Sequence, residues 1–178
     1  MSQPRATVRK HLLPGDWAVL ALLSERTAHG FALAQVLAED GEVGQVWTMP
    51  RARVYRAIED LRAAGLIETV DTAPSDRGPT RTLLAITPAG EVAVEQWLAR
   101  PVAHVRDARS ELLLKLVLTH RAGRDLRPLA AAQHGVLGQL ADRLTAQLES
   151  AEGTRALVLR FRLAQTLAAR DYVSELLG

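Results

Sequence analysis

Residues 48–66 constrain the fold of this chain more than any other stretch, because a complete amphipathic helix can be read from them. They run Thr-Met-Pro-Arg-Ala-Arg-Val-Tyr-Arg-Ala-Ile-Glu-Asp-Leu-Arg-Ala-Ala-Gly-Leu. Pro50 suits the first helical residue, where a missing N–H has no cost, and Gly65 suits the left-handed position just past a helix end. Between them one apolar stripe recurs at helical spacing, formed by Val54, Ala57, Ile58 and Leu61.

Four arginines lie off this stripe: Arg51, Arg53, Arg56 and Arg62, with Tyr55 on its flank. Within this predicted helix no acidic residue precedes Glu59. Cations at a helix N-terminus oppose the macrodipole by about 0.3–1 kcal/mol each. An external anion would offset this, since arginine forks match both phosphate groups and guanine edges. We therefore expect these five side chains to contact DNA. A solvated helix face is the alternative for the arginines, and packing beside Trp47 is the alternative for Tyr55.

The surrounding pattern predicts a winged helix-turn-helix. Two short helices are expected first, over residues 16–25 and 30–39, with Trp17, Leu20, Leu23, Phe31, Leu33, Ala34 and Leu37 in the core. After the arginine-rich helix, β-rich runs at residues 66–70 and 81–86 bracket a turn-forming segment, which predicts a hairpin. Three helices followed by a hairpin form this fold. We expect phosphate contacts from Arg77 and Arg81 in the hairpin; an ordinary polar loop is the alternative. His29 either donates to a phosphate or has a local turn or capping role.

The rest of the chain is predicted to be helical. Thr87 and Pro88 suit the N-cap and first residue of a helix that reaches about residue 100 and buries Val92, Val94, Trp97 and Leu98. Pro101 then ends it, so we expect domains at residues 1–100 and 101–178. Three further helices are predicted, starting at Asp107 or Ser110, at Asp125 and at Thr154. The last carries a stripe of Leu157, Phe161, Ala164, Ala168 and Tyr172. Fewer than 80 residues cannot cover helices this apolar, so we expect them to pack against a second copy.

Composition excludes several other classes. Hydrophobic residues make up 48% and charged residues 24%, with a net charge of +2, as in a globular protein. No apolar run approaches the ~18 residues that span a bilayer, and the first residues lack a secretory signal. With no cysteine, a cytoplasmic location is favoured. The five histidines lack metal-ligand spacing, and no phosphate-binding glycine loop or nucleophile motif occurs. We therefore expect no membrane partner, metal, cofactor or enzymatic activity.

Several phrases together resemble one family. His-Gly-Phe-Ala-Leu at residues 29–33, Val-Tyr-Arg-Ala-Ile at 54–58, Leu-Arg-Ala-Ala-Gly-Leu-Ile-Glu at 61–68 and Ile-Thr-Pro-Ala-Gly at 86–90 occur in the order and spacing of the PadR family of bacterial transcriptional regulators. The C-terminal helices are similar to the helical dimerisation domain of its longer subfamily. This resemblance implies a mainly α, α+β protein with an N-terminal winged helix-turn-helix and a C-terminal helical dimerisation domain.

The expected function is that of a homodimeric repressor which binds an inverted-repeat operator in double-stranded DNA. Two arginine-rich helices would enter successive major grooves about 34 Å apart. The resemblance also implies release of the operator when a small-molecule effector binds or conditions change. Trp97 and Phe161 are the candidate effector-binding residues; core burial is their alternative. A second hypothesis is a dimeric ligand-binding or protein-interaction module that no longer reads DNA. It is supported by residues 1–100, where 11 Lys and Arg face 12 Asp and Glu.

Overall fold

The structure, a computed structural model, describes residues 12–73 and 81–178. The chain divides into two compact units between Val94 and Glu95. This division falls inside the helix Pro88–Ala99, whose last turns belong to the second unit. The domain boundary expected after residue 100 stays a prediction.

The first unit is a winged helix-turn-helix, as predicted. Its elements follow the order α1 (Pro14–Glu25), β1 (Ala28–His29), α2 (Gly30–Val36), α3 (Arg51–Ala63), β2 (Ile67–Ala73), β3 (Arg81–Ile86) and the start of α4 (Pro88–Ala99). The three strands form one antiparallel sheet in the order β1-β3-β2. Strand β1 was not predicted, because two residues are too few to show a periodic pattern.

Helix α3 begins and ends close to the predicted positions. Pro50 is the N-cap, one residue earlier than expected. Gly65 has a φ of +71°, and its N–H donates to the Arg62 carbonyl at 2.9 Å. The N–H of Leu66 reaches back to the Leu61 carbonyl at 3.0 Å, which completes a Schellman motif. The chain therefore turns sharply from α3 into the first strand of the wing.

The core of the first unit contains the apolar faces of its helices and sheet. The residues with at most 4% exposure include Leu20, Leu23, Leu33, Leu37, Val54, Ile58, Leu61, Ile67 and Leu84. Trp17 is half-buried. The prediction that Phe31 lies in this core is wrong, since its side chain is 51% exposed. Two residues before Leu33 on a helix, Phe31 points away from the buried face.

Thr87 links the end of α3 to the start of α4. Its hydroxyl accepts a hydrogen bond from the Gly90 N–H at 3.1 Å and donates to the Gly65 carbonyl at 2.8 Å. The predicted threonine cap is thus confirmed. Along α4, Val94, Trp97 and Leu98 are buried, whereas Val92 is 56% exposed and its predicted burial is wrong. Val92 lies about 200° around the helix from Val94.

The second unit is entirely helical within the residues described. After the last turns of α4 come a 3₁₀ turn (Val105–Asp107), a π-helical segment (Ala108–Leu112), α5 (Leu113–Arg121), α6 (Arg127–Leu148) and α7 (Gly153–Glu175). The first of the three predicted helices is therefore a π-helical segment followed by α5, with the 3₁₀ turn before them. The last is capped by Glu152 instead of Thr154. One hydrophobic cluster of buried residues consists of Val102, Leu112, Leu116, Leu129, Ala130, Leu137 and Val173.

Asp125 lies just before α6 and binds its first turn, close to the predicted capping role. One carboxylate oxygen accepts from the Arg127 N–H at 3.0 Å, and the Arg127 guanidinium lies 2.9 Å from the other. These hydrogen bonds lower the pKa of Asp125 below its usual value.

Two buried polar side chains hold the chain that follows α4. The Lys115 side chain is 1% exposed; its ammonium donates to the Arg100 carbonyl at 2.7 Å, pairs with Glu111 at 2.9 Å and lies 4.8 Å from the centre of the Trp97 ring. Burial lowers the pKa of Lys115. Gln133, fully buried, accepts from the Val102 N–H at 2.7 Å and donates to the Val102 carbonyl at 3.1 Å.

Helix α7 has two different faces. One face contains Ala156, Leu159, Thr166 and Val173, all buried. The opposite face is the α7 stripe, whose five members are all exposed: Leu157, Phe161, Ala164, Ala168 and Tyr172. Leu157 and Phe161 are 70% and 64% exposed.

No helix in the described part of the chain has both the length and the apolarity needed to cross a membrane.

Candidate nucleic-acid interface

The cations at the front of α3 are the centre of the candidate site. No acidic residue lies in the first turn of α3, while Val54, Ala57, Ile58 and Leu61 are buried beneath it. Arg51, Tyr55, Arg56 and Arg62 are exposed, and Arg53 is partly buried. Helix α3 therefore presents a cationic surface on the side away from the core.

Arg53 turns inward, which corrects one part of the prediction. Its guanidinium lies 2.7 Å from one carboxylate oxygen of Asp16 on α1, and the Asp16 side chain is only 4% exposed. The other oxygen of Asp16 accepts from the Leu13 N–H at 2.8 Å and caps α1. Arg53 therefore has an acidic partner within the chain, whereas the sequence analysis expected an external anion; its DNA contact stays a prediction. A buried carboxylate needs a cationic partner, because an unpaired charge in the interior is strongly unfavourable.

Arg51 has a different environment, made of aromatic rings. The central carbon of its guanidinium lies 5.2 Å from the centre of the Phe31 ring and 5.7 Å from that of Tyr55. Tyr55 in turn lies against the start of α2, where a Cβ added to Gly30 would come within 3.0 Å of the ring. Tyr55 thus packs on α2. The second ring beside Arg51 is Phe31, not Trp47, which was named as the alternative neighbour of Tyr55.

The two remaining helix arginines have less restrained side chains. Arg56 lies 3.6 Å from Asp60 one turn later and is 65% exposed, so this pair is weak. Arg62 is in the last turn of α3, where a cation is favoured by the helix dipole. Both positions leave the charge available to an external anion.

His29 and the wing arginines complete the predicted set. The Nδ1 of His29 donates to the Thr82 carbonyl on β3 at 3.0 Å, and β1 pairs with β3 through Ala28↔Leu84 and His29↔Leu83. His29 therefore attaches the start of α2 to the wing. Arg81 begins β3, opposite Ala73, while its side chain and the whole of Arg77 lie outside the described residues.

The two aromatic residues predicted for an effector differ in environment. Trp97 is 7% exposed and lies beneath the Lys115 ammonium, whereas Phe161 is on the exposed α7 stripe. A mostly apolar cleft of about 370 Å³ occurs in the first unit, between α2 and the start of α3. Phe31, Met49 and Arg51 are among the residues that line it, and neither Trp97 nor Phe161 does. Among the described residues no three His, Asp or Glu side chains group into a metal site.

Sequence reasoning missed Asp16 and Phe31. Asp16 was taken only as a helix start, since nothing local to it indicates an arginine 37 residues away. Phe31 was assigned to the core from its apolar character. A signal was present in the second case, because burial of Phe31 together with Leu33 does not fit one helix face.

A winged helix-turn-helix with an arginine-bearing third helix defines a DNA-binding class of fold. Residues 19–96 match the transcriptional regulator PadR-like family. Over these residues the resemblance to the PadR family read from the sequence is confirmed. The similarity of the C-terminal helices to the longer subfamily stays a prediction.

The individual relatives and solved structures share 18–25% of their residues with this chain. The chain is 25% identical over 130 residues to "Probable transcriptional regulator Rv1176c" of Mycobacterium tuberculosis (strain ATCC 25618 / H37Rv), across 72% of this chain and 65% of that relative. It therefore spans somewhat less than two thirds of the relative's length. Among solved structures, Bacillus subtilis PadR in complex with operator DNA is 19% identical, with a TM-score of 0.47, over 92% of this chain and 97% of that one. The protein smu.1604c from Streptococcus mutans UA159 is 18% identical, with a TM-score of 0.46, over 92% and 98%.

Proposed function

We propose that this protein is a sequence-specific DNA-binding regulator, a repressor that acts in the cytoplasm as a homodimer on an inverted repeat. The observation that carries the proposal is the exposed cationic front of α3 in a PadR-like domain, with no acid in its first turn. Arg51, Tyr55 and Arg56 face solvent there and are assigned to DNA. Arg62, Arg77 and Arg81 are assigned to phosphates, and His29 holds the wing beside α2.

Arg53 keeps a DNA contact in this proposal only through the third of its side chain that is exposed. Its main role is to hold α3 on α1, because Asp16 occupies one end of its guanidinium. We therefore assign base readout to other residues of α3. This differs from the sequence-based expectation, in which Arg53 was as free as its neighbours.

The homodimer is supported by the α7 stripe. Contiguous exposed apolar surface marks an interface in a globular protein, whereas scattered apolar residues do not. In a two-fold arrangement the same stripe meets itself on the partner, and each α3 reaches one of two major grooves about 34 Å apart. A small-molecule effector would act by favouring a different spacing of the two α3 helices, through its differential affinity for the two arrangements.

The test measures binding of the purified full chain to duplexes from the region upstream of its gene. Fluorescence anisotropy reports the affinity at each salt concentration of a series. A regulator binds one duplex specifically, and log K falls steeply with log[salt], by about 0.9 for each phosphate neutralised. Arg56→Ala should lower affinity for all duplexes. Absence of binding to any duplex at low salt would overturn the proposal.

That outcome would favour the second candidate, a dimeric ligand-binding or protein-interaction module. One observation favours this module: the Asp16–Arg53 pair removes a cation from the surface that DNA would contact. A stable dimer in sedimentation, without DNA binding, would identify it.

A further inference from the structure

Arg51 is the most constrained of the exposed cations on α3, although it is the first residue of the helix. Phe31 and Tyr55 lie beside its guanidinium at 5.2 and 5.7 Å. Both rings remain accessible, at 51% and 39% exposure, so neither is explained by core packing. The exposed position of Phe31 beside Arg51 is therefore not explained by burial in the core.

The other α3 arginines show what Arg51 lacks. Arg53 pairs with Asp16 and Arg56 with Asp60, whereas Arg51 has no carboxylate partner in the described part of the chain. Aromatic faces attract a guanidinium without using its N–H groups, because the attraction is to the ring quadrupole. The donors of Arg51 thus stay available to a ligand while its side chain is held in place.

The rings that hold Arg51 are themselves supported. Tyr55 lies one turn along α3 and packs over Gly30, where any Cβ would meet its ring at 3.0 Å. Phe31 follows Gly30 at the start of α2. The Arg51 clamp, formed by Phe31, Tyr55 and Arg51, therefore joins the N-terminal ends of the two helices of the helix-turn-helix.

We propose that Arg51 is the residue that selects guanine in the DNA site and that Phe31 is the positioning residue that holds its guanidinium for this contact. The inference rests on the proposed function and deepens it. A phosphate contact is satisfied by a mobile cation at many angles. A guanine edge instead requires two N–H donors in one plane, aimed at O6 and N7. The first residues of a recognition helix are the ones that reach base edges.

The experiment begins with duplexes that the full-length wild-type protein selects from a random-sequence pool. Each guanine of the selected duplex is then replaced by 7-deazaguanine, which lacks the N7 acceptor, and affinity is measured by anisotropy. Wild type should lose about 10-fold at one guanine in each half-site. In Arg51→Ala this loss should fall to about 1-fold at that guanine, because no guanidinium then reaches its N7 acceptor.

Phe31→Ala should reduce the same 10-fold loss to a few-fold, while Phe31→Trp should restore it. Arg62→Ala is the matched control: it removes a charge from the same helix and should lower affinity for all duplexes with the 7-deazaguanine pattern unchanged. Thermal unfolding midpoints verify that each variant folds, which is expected because Phe31 and Arg51 are exposed.

Three results would overturn the inference. If Arg51→Ala keeps the wild-type loss at every guanine, Arg51 does not read guanine. If Phe31→Ala keeps the full pattern, Phe31 does not position it. If wild type selects a sequence that is indifferent to 7-deazaguanine, the inference fails and the proposed function stands, whereas selection of no sequence would overturn both.

Discussion

The two units differ in where they leave apolar side chains exposed. In the first unit the large exposed ones are dispersed over separate elements: Leu13, Phe31, Tyr55, Val70 and Val92. In the second they all lie on α7: Leu157, Val158, Phe161 and Tyr172. Isolated apolar residues are normal on a protein surface, but a continuous stripe marks a surface that is covered in the working molecule.

The difference also extends to charge. The first unit uses a long-range pair, in which Asp16 on α1 binds Arg53 on α3, and leaves cations on its surface. The second pairs Lys115 with Glu111 one turn earlier and uses Lys115 and Gln133 to bind backbone carbonyls and an N–H. The first unit thus exposes cations on α3, while the second holds buried polar side chains and exposes an apolar stripe on α7. This contrast supports the proposed roles, DNA contact for the first unit and self-association for the second.

The largest expected effect comes from a charge in the α7 stripe. Phe161→Glu should weaken self-association by at least about 100-fold, because in the proposed interface an unpaired carboxylate would replace a desolvated aromatic side chain. Analytical ultracentrifugation over a concentration series measures this change. Arg162→Glu is the control, since it is exposed about 100° around the helix and should leave association near wild type. A Phe161→Glu variant that associates as tightly as wild type would show that the stripe is not the contact surface.

The second effect concerns the buried amide of the helical unit. Gln133→Leu should lower the free energy of unfolding by about 2–4 kcal/mol, because the N–H and carbonyl of Val102 would lose their partners away from water. Chemical denaturation followed by circular dichroism measures it. Gln139→Leu, exposed on the same helix, should change stability by less than about 0.5 kcal/mol. Equal effects from the two substitutions would show that the hydrogen bonds of Gln133 to Val102 do not stabilise the fold.

Local signals in the sequence accounted for the framework of the first unit. Pro50, Gly65 and Thr87 each have a physical requirement that their own position reveals, and all three lie within a residue of the expected place. Long-range contacts were not accessible in this way. Strand β1 exists because β3 lies beside it, and the carboxylate of Asp16 finds Arg53 only once α1 and α3 have packed.

The sequence therefore predicted which residues form the candidate site, but not which partners Arg51 and Arg53 have within the chain. Every exposed cation of α3 was named from the sequence, because these arginines lie off its apolar stripe. Arg53 also lies off the stripe, yet it binds Asp16. Which of these cations is already neutralised depends on a residue from another helix. The same limit applies to Phe31, whose neighbour Arg51 lies 20 positions later in the chain.

The third effect tests the long-range pair of the first unit. Arg53→Ala should lower the free energy of unfolding by about 1–2 kcal/mol, less than for a fully buried pair because Arg53 is 32% exposed. Arg62→Ala should stay within about 0.5 kcal/mol of wild type. In a double-mutant cycle with Asp16→Asn, the two substitutions should be less than additive. Additive effects would mean that Arg53 does not stabilise Asp16 and is free for DNA after all.

The smallest effect is the pH dependence contributed by Lys115. Burial lowers its pKa in the folded protein below the unperturbed value of 10.5, so just below that pH the unfolded chain binds more protons than the folded one. The contribution of Lys115 to stability should therefore become more favourable as pH rises towards 10.5. Denaturation of wild type and Lys115→Met across this window isolates it, because the Arg100 carbonyl that the variant leaves without a partner does not titrate. If the stability difference moved in favour of Lys115→Met with rising pH, the ion pair with Glu111 would outweigh the effect of burial on the pKa of Lys115.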